Sequence, residues 1–362
     1  MNLRFKRLSR RGTSLMVLAL ASTTISGVAR SQTARGDQSW TATSETSTAN
    51  ANPSRTTESH TKSGNRTLDK KTVEVLGPDG EYQPYVEIET ETIEGPTATR
   101  STTRTYNPNA NGEEQLTQVT ESETENSADG SARTVETTSQ SDLDGNLEVV
   151  AREITATTKG PASQDSHTTI YLPDINGGLA PSMQVNEQEE QSAGGETYRK
   201  RRTTLLQDGN GNWQVYEARE QTAKGNAHNR ISEEHISRRD FEGNVSPVSQ
   251  EITQQTSGDG RATSSSETHS IDVPGWTRDG SFRLLQRSTS VRTVEPGKTV
   301  TEQRIEQPDP GDPQAGLGTT VEKTDTVVIG STGTTQTIIV TARYPDGSPS
   351  VVTVETRTSS KR

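Results

Sequence analysis

Glycine-bearing turns return along this chain at a nearly constant interval, and that period constrains the fold more than any other feature. They stand at Gly80 ("GPDGEY"), Gly112 ("NANGEE"), Gly145 ("LDGNL"), Gly178 ("NGGL"), Gly211 ("GNGNW"), Gly243 ("FEGNV"), Gly280 ("RDGSF") and Gly347 ("PDGSP"), with "PDPGDPQAG" around Gly311 filling the remaining gap. Asp-Gly and Asn-Gly pairs supply the positive backbone angles that tight β-hairpins need. A second series falls midway, at Gly95, Gly130, Gly160, Gly194, Gly225, Gly260, Gly297 and Gly333. Each unit of about 33 residues is therefore two arms joined by alternating turns, and an extended arm of about 12 residues is roughly 40 Å long.

The arms read as strands rather than helices. They are dense in Thr and Val, whose branched Cβ suits a pleated surface. Alternation is visible where Val86, Ile88, Thr90 and Thr92 share one face and Glu87, Glu89 and Glu91 the other. Apolar residues recur two positions after the turn glycine: Tyr82, Leu147, Trp213, Val245 and Phe282. Tyr106, Leu205, Phe241 and Tyr344 precede the turns on the partner arms. The expected fold is all-β: a repetitive antiparallel meander of about nine two-strand units, forming an extended twisted sheet or a solenoid-like array. An apolar strip runs near one row of turns, and the far half is polar.

Such a strip matters because apolar residues are scarce. Leu, Ile, Val and Phe make up about 16% of the chain, below the share at which disorder becomes the default. A single two-strand unit is marginal alone, whereas stacked neighbours share a continuous strip. No cysteine is present, so disulfides and thiolate chemistry are excluded. An outer-membrane barrel fits the number and length of the strands. The sequence argues against it, because both faces acquire Glu, Arg or Gln within a few steps and aromatics are only 4%.

The N-terminus is organised differently. "MNLRFKRLSRRG" is basic, "SLMVLALA" is apolar but too short to span as a helix, and Gly27 and Ala29 fit a cleavage site. The expected layout is a secretory signal over 1–29, a disordered polar leader over 30–66, a β-hairpin repeat domain over 67–358 and a disordered tail over 359–362. Cleavage removes five of the 38 basic residues against 49 acids, leaving a net charge of about −16. A chain of that charge has no electrostatic reason to bind nucleic acid. No later apolar run approaches spanning length, so no membrane span is expected after the signal.

Chemistry-bearing motifs are sparse. His60, His167, His228, His235 and His269 lie on different arms. Asp142, Asp144 and Asn146 have the opening spacing of a calcium loop, but the closing glutamate is missing and turn chemistry explains them. Asp309 and Asp312 make a weaker pair of the same kind. No catalytic, cofactor-binding or metal residue is assigned, and no enzyme activity is expected. Thr doublets such as "TAT" and "TTRT" place hydroxyls in arrays on a sheet face. These features point to an exported, secreted or periplasmic protein of the bacterial envelope or cell surface, with a structural or adhesive role. Its partners would be an envelope polysaccharide or a protein, and its open sheet edges would allow self-association, restrained by charged residues such as Glu74 and Arg357. The alternatives are a polysaccharide-acting enzyme on a β-array and a largely disordered secreted chain.

Overall fold

The computed structural model describes residues 38–361 except 49–50, 110, 143, 175, 227, 274–278, 310–311, 331–332 and 344–347. The secretory signal over 1–29, the leader up to 37, Tyr344, Gly311 and Gly347 lie outside the described residues. Twenty strands follow one another. The first five are β1 (Gln38–Thr48), β2 (Ala51–Ser63), β3 (Arg66–Leu76), β4 (Tyr82–Glu94) and β5 (Ala98–Pro108). Then come β6 (Glu114–Asn126), β7 (Ala132–Ser141), β8 (Leu147–Lys159), β9 (Ser163–Pro173) and β10 (Leu179–Gln191). The second half opens with β11 (Thr197–Gln207), β12 (Trp213–Gly225), β13 (Asn229–Arg239), β14 (Val245–Gly258) and β15 (Arg261–Ser270). It ends with β16 (Arg283–Glu295), β17 (Lys298–Asp309), β18 (Asp312–Ile329), β19 (Gly333–Arg343) and β20 (Pro349–Lys361).

Each strand pairs antiparallel with the next, as the turn period implies. β1 also pairs antiparallel with β20, from Trp40 opposite Lys361 to Thr48 opposite Thr353. The meander is therefore a closed barrel, and both the open twisted sheet and the solenoid are corrected. Closure also removes the free edges proposed for self-association, because the backbone groups of the two terminal strands satisfy each other. The disordered leader is corrected over 38–48 and 51–63, which form β1 and β2. The expected tail over 359–362 is strand through Lys361.

The turns explain the period. In the β7–β8 turn Gly145 takes φ +86° and its N–H donates to the Asp142 carbonyl, while Asp142 N–H donates to the Asn146 carbonyl. That is the three-residue hairpin in which only glycine is comfortable at the left-handed position. The same hydrogen bonds recur at Asn109, Asp174, Asp208 and Asp240. In "NGGL" the left-handed residue is Gly177 rather than Gly178.

Closure has a local cause in the ladders. Nine of the strands that follow these turns carry one extra residue at the same level: Tyr85, Thr117, Val150, Ser182, Tyr216, Val248, Leu285, Thr320 and Val352. A β-bulge bends its strand and increases the local twist. One bulge per hairpin at a common height coils the sheet evenly, until β20 meets β1. Twenty strands at about 4.8 Å spacing, tilted as barrels require, give a backbone diameter of roughly 40 Å.

Register alternation runs unbroken around the seam and separates two faces. Ala42, Ser44, Ala223, Ser270, Asp325 and Val340, all buried, share one face, which is the concave lumen wall. Leu68, Ile231, Ile339 and Val354, all exposed, share the outer face. Near the first rim, where the Gly80–Gly280 turns lie, the outer face carries an apolar belt. It includes the cross-strand pairs Leu76–Tyr82, Tyr106–Leu116, Leu205–Val215 and Tyr171–Pro181, with Leu147 and Val149 beside them. Outer-wall charges start at the belt's lower edge, where Glu87 is the ladder partner of Tyr106, and are joined across strands: Lys70 with Glu87 at 2.5 Å, Arg100 with Glu123 at 2.7 Å, Arg287 with Glu267 at 2.8 Å and Arg199 with Glu220.

Candidate functional site

The candidate site is the lumen wall, and strand register dictates its composition. From β4 to β9 hydroxyls predominate, interspersed with Val86, Ile88, Gln118, Ile170 and the facing carboxylates Glu136 and Glu153. One row runs Thr90, Thr103, Thr120, Thr138, and a second runs Thr99, Thr124, Thr134, Thr155, Thr168. Neighbouring hydroxyls bond each other, as in Thr90–Thr103 at 3.0 Å, Thr124–Thr134 at 2.9 Å and Thr155–Thr168 at 2.8 Å. A hydroxyl both donates and accepts, so each row keeps capacity for water or a polar solute after its internal bonds are made. The Thr arrays expected from sequence are therefore real, and they face inward.

From β10 to β13 the wall becomes ionic. Lys200 Nζ lies 2.7 Å from carboxylate oxygens of both Glu187 and Glu189. Glu217 accepts from Arg219 at 2.6 Å and from Arg238 at 2.8 Å. Across the seam Glu58 holds Arg357 and, at 3.6 Å, Lys71. Alternating signs on adjacent strands neutralise the wall locally while keeping it wet. Among the described residues no strand packs across the lumen.

The residues singled out from sequence are not brought together. His60 bonds Asp69 at 2.6 Å and stacks on Trp40, His167 meets Asn186, and His235 meets Glu233. His228 sits at the second rim against the Ser257 carbonyl. His269 Nδ1 is buried without a hydrogen-bond partner among the described residues. Asp142 is spent on its own turn, where one carboxylate oxygen accepts the N–H groups of Asp144 and Asn146 at 2.8 Å each. The N–H of Asn146, with the amide of the same residue and the N–H of Asp144, holds that carboxyl below the ordinary aspartate range. Asp208 and Asp240 are lowered in the same way by Asn212 and Asn244. Asp309 and Asp312 pair across the β17–β18 connection. No group of three His, Cys, Asp or Glu side chains suited to a metal occurs among the described residues. Sequence reasoning missed the ionic sector. Its signal was the alternation of Glu187 and Glu189 opposite Lys200 and Arg202, which only register makes visible.

No protein-family model and no curated protein matches the chain. Solved structures with a similar fold include a mutant of the Rh. blastica porin, at 7% identity and TM-score 0.44 over 90% of this chain and 100% of that one. The FrpB iron transporter from Neisseria meningitidis is similar at 8% identity and TM-score 0.41, over 90% of this chain and 81% of that one. OccK5 (OpdH) of Pseudomonas aeruginosa is similar at 9% identity and TM-score 0.42, over 89% and 97%. The barrel itself is established by the pairing of β1 with β20.

Closure corrects three expectations of function. A structural or adhesive role relied on an open polar sheet presented to a partner. That sheet is instead wrapped around a lumen. The envelope polysaccharide or protein partner loses its binding face for the same reason. The absence of a membrane span was inferred from the lack of a long apolar run. No helix among the described residues is long and apolar enough to cross, but a barrel crosses with strands.

Proposed function

We propose that this exported envelope protein is the wall of an aqueous conduit, passing small polar solutes through a membrane-seated barrel. The observation that carries the proposal is the β1–β20 pairing, which closes twenty strands around a lumen lined by hydroxyls and by charged side chains, several of them ion-paired. A polar wall lowers the cost of keeping water and solute inside, and conduction requires no catalytic group. The apolar belt below the first rim supplies the surface that meets hydrocarbon. The ion-paired rows farther down extend into the aqueous space, where paired surface charges cost little.

Vesicle release tests the proposal. The chain lacking residues 1–29 is reconstituted into liposomes loaded with a small neutral sugar and with a large dextran. The expected result is release of the sugar and retention of the dextran. Retention of both, by protein that co-floats with the vesicles and shows a β-sheet circular dichroism spectrum, overturns it.

A further inference from the structure

An open hollow of about 660 Å³ lies at the second rim, on the lumen wall between the β10–β11 turn and β16. It contains two luminal arginines, Arg230 on β13 and Arg292 on β16. Register places Arg230 opposite Gln255, then Ser264, then Ser290, with Arg292 beside Ala262. Three strand spacings separate the two arginine backbones by roughly 15 Å. The side chains between them are small or neutral.

Neither arginine is paired with a carboxylate among the described residues, whereas Lys200, Arg219, Arg238 and Arg357 each are. Arg230 instead lies near the Tyr198 ring, its guanidinium carbon 5.9 Å from the ring centroid. Gly225 stands opposite Arg230 and leaves that approach clear. A cation supported by an aromatic face keeps its N–H donors available, and a guanidinium fork matches a carboxylate or phosphate. Glu196, on the adjoining turn, is the acidic side chain of the lining.

We propose that Arg230 and Arg292 form an oxyanion-binding site at this end of the lumen. It takes the anionic group of a small polyhydroxylated solute, whose hydroxyls meet Asn226, Gln255, Ser264 and Ser290. The inference rests on the conduit reading for its substrate class, but binding is measurable without conduction.

Calorimetric titration of the detergent-solubilised full chain with glucose 6-phosphate, inorganic phosphate and glucose tests the site. Saturable binding of glucose 6-phosphate, weaker binding of inorganic phosphate and none of glucose is expected. Affinity should fall at least tenfold in R230Q/R292Q and stay unchanged in R100Q, whose arginine is on the outer wall. Ser264→Glu, which sets a carboxylate between the arginines, should abolish binding while both arginines remain. No saturable binding overturns the site, as does equal affinity in R230Q/R292Q or equal loss in R100Q. Equal affinity for inorganic phosphate and glucose 6-phosphate overturns the hydroxyl contacts. Release without binding refutes this site alone, and binding without release refutes the conduit alone.

Discussion

A disulfide across the seam would turn barrel closure into a chemical observable. Thr43 and Thr358 are direct partners in the β1–β20 ladder, and the wild-type chain has no cysteine to compete. Antiparallel partners have Cα atoms about 4.5–5.5 Å apart, inside the range a disulfide bridges. In an open sheet the same residues would sit at opposite edges, roughly 90 Å apart at ~4.8 Å per strand. T43C/T358C should therefore oxidise within single molecules and migrate as a compact species on a non-reducing gel. The bond closes a loop of roughly 315 residues, for which chain entropy gives about 5–6 kcal/mol of stabilisation, an upper figure because strain subtracts from it. With a slope of about 3 kcal/mol per M, the urea midpoint should rise by roughly 1–2 M on oxidation. T43C/T203C is the control, since Thr203 lies on β11 across the barrel. Failure of the seam pair to oxidise, or equal oxidation of the control, would refute closure.

Other perturbations probe the turns and the outer wall. Gly145→Ala should cost about 1 kcal/mol by urea titration, because φ is +86° and a Cβ there would touch nothing closer than Gln115 at 4.0 Å. Gly225→Ala should cost clearly more, since its Cβ would stand 2.0 Å from the Asn229 carbonyl oxygen and the β12–β13 turn must open. The depressed carboxyls of Asp142, Asp208 and Asp240 contribute stability that is fully present above the unfolded aspartate pKa. It is lost as pH falls through their lower folded values, so the Asn146, Asn212 and Asn244 amides should exchange faster there; unchanged protection at that pH would contradict it. In vesicles Val149→Arg, in the apolar belt, should destabilise by roughly 2–4 kcal/mol if the belt meets lipid. Glu123→Gln, in the ion-paired rows, should cost under about 1 kcal/mol, and the reverse order would show that the wrong band had been assigned to hydrocarbon.

Much of this fold is legible in local chemistry. Asp142 through Asn146 writes a complete hairpin, and its repetition sets strand number and direction. What is not legible is the seam. Trp40 to Thr48 and Thr353 to Lys361 are separated by almost the whole chain, and neither segment is marked as the other's partner. Residues 38–63 read as disorder because Thr and Ser occupy positions where strands usually carry Val or Ile, yet Ala42 and Ser44 are buried by their neighbours. The barrel was disfavoured because Arg100, Glu123 and their like break any continuous lipid face. Those charges are indeed outside; Arg100 and Glu123 pair with each other, while Glu87 and Arg152 stand directly beside Tyr106 and Tyr171 at the lower edge of the belt. Inside and outside are hard to separate in a chain whose two faces are both polar, so the hydroxyl rows were visible as composition but not as a lumen. The arginine hollow was invisible because Arg230 and Arg292 are distant in sequence and joined only through the registers of β14 and β15.

The central claim is a closed barrel with a continuous water path, and planar-bilayer recording of the chain lacking residues 1–29 tests it most directly. Discrete, stable conductance steps, retained after oxidation of T43C/T358C, are the predicted result. An electrically silent bilayer containing the inserted, seam-locked protein would contradict it.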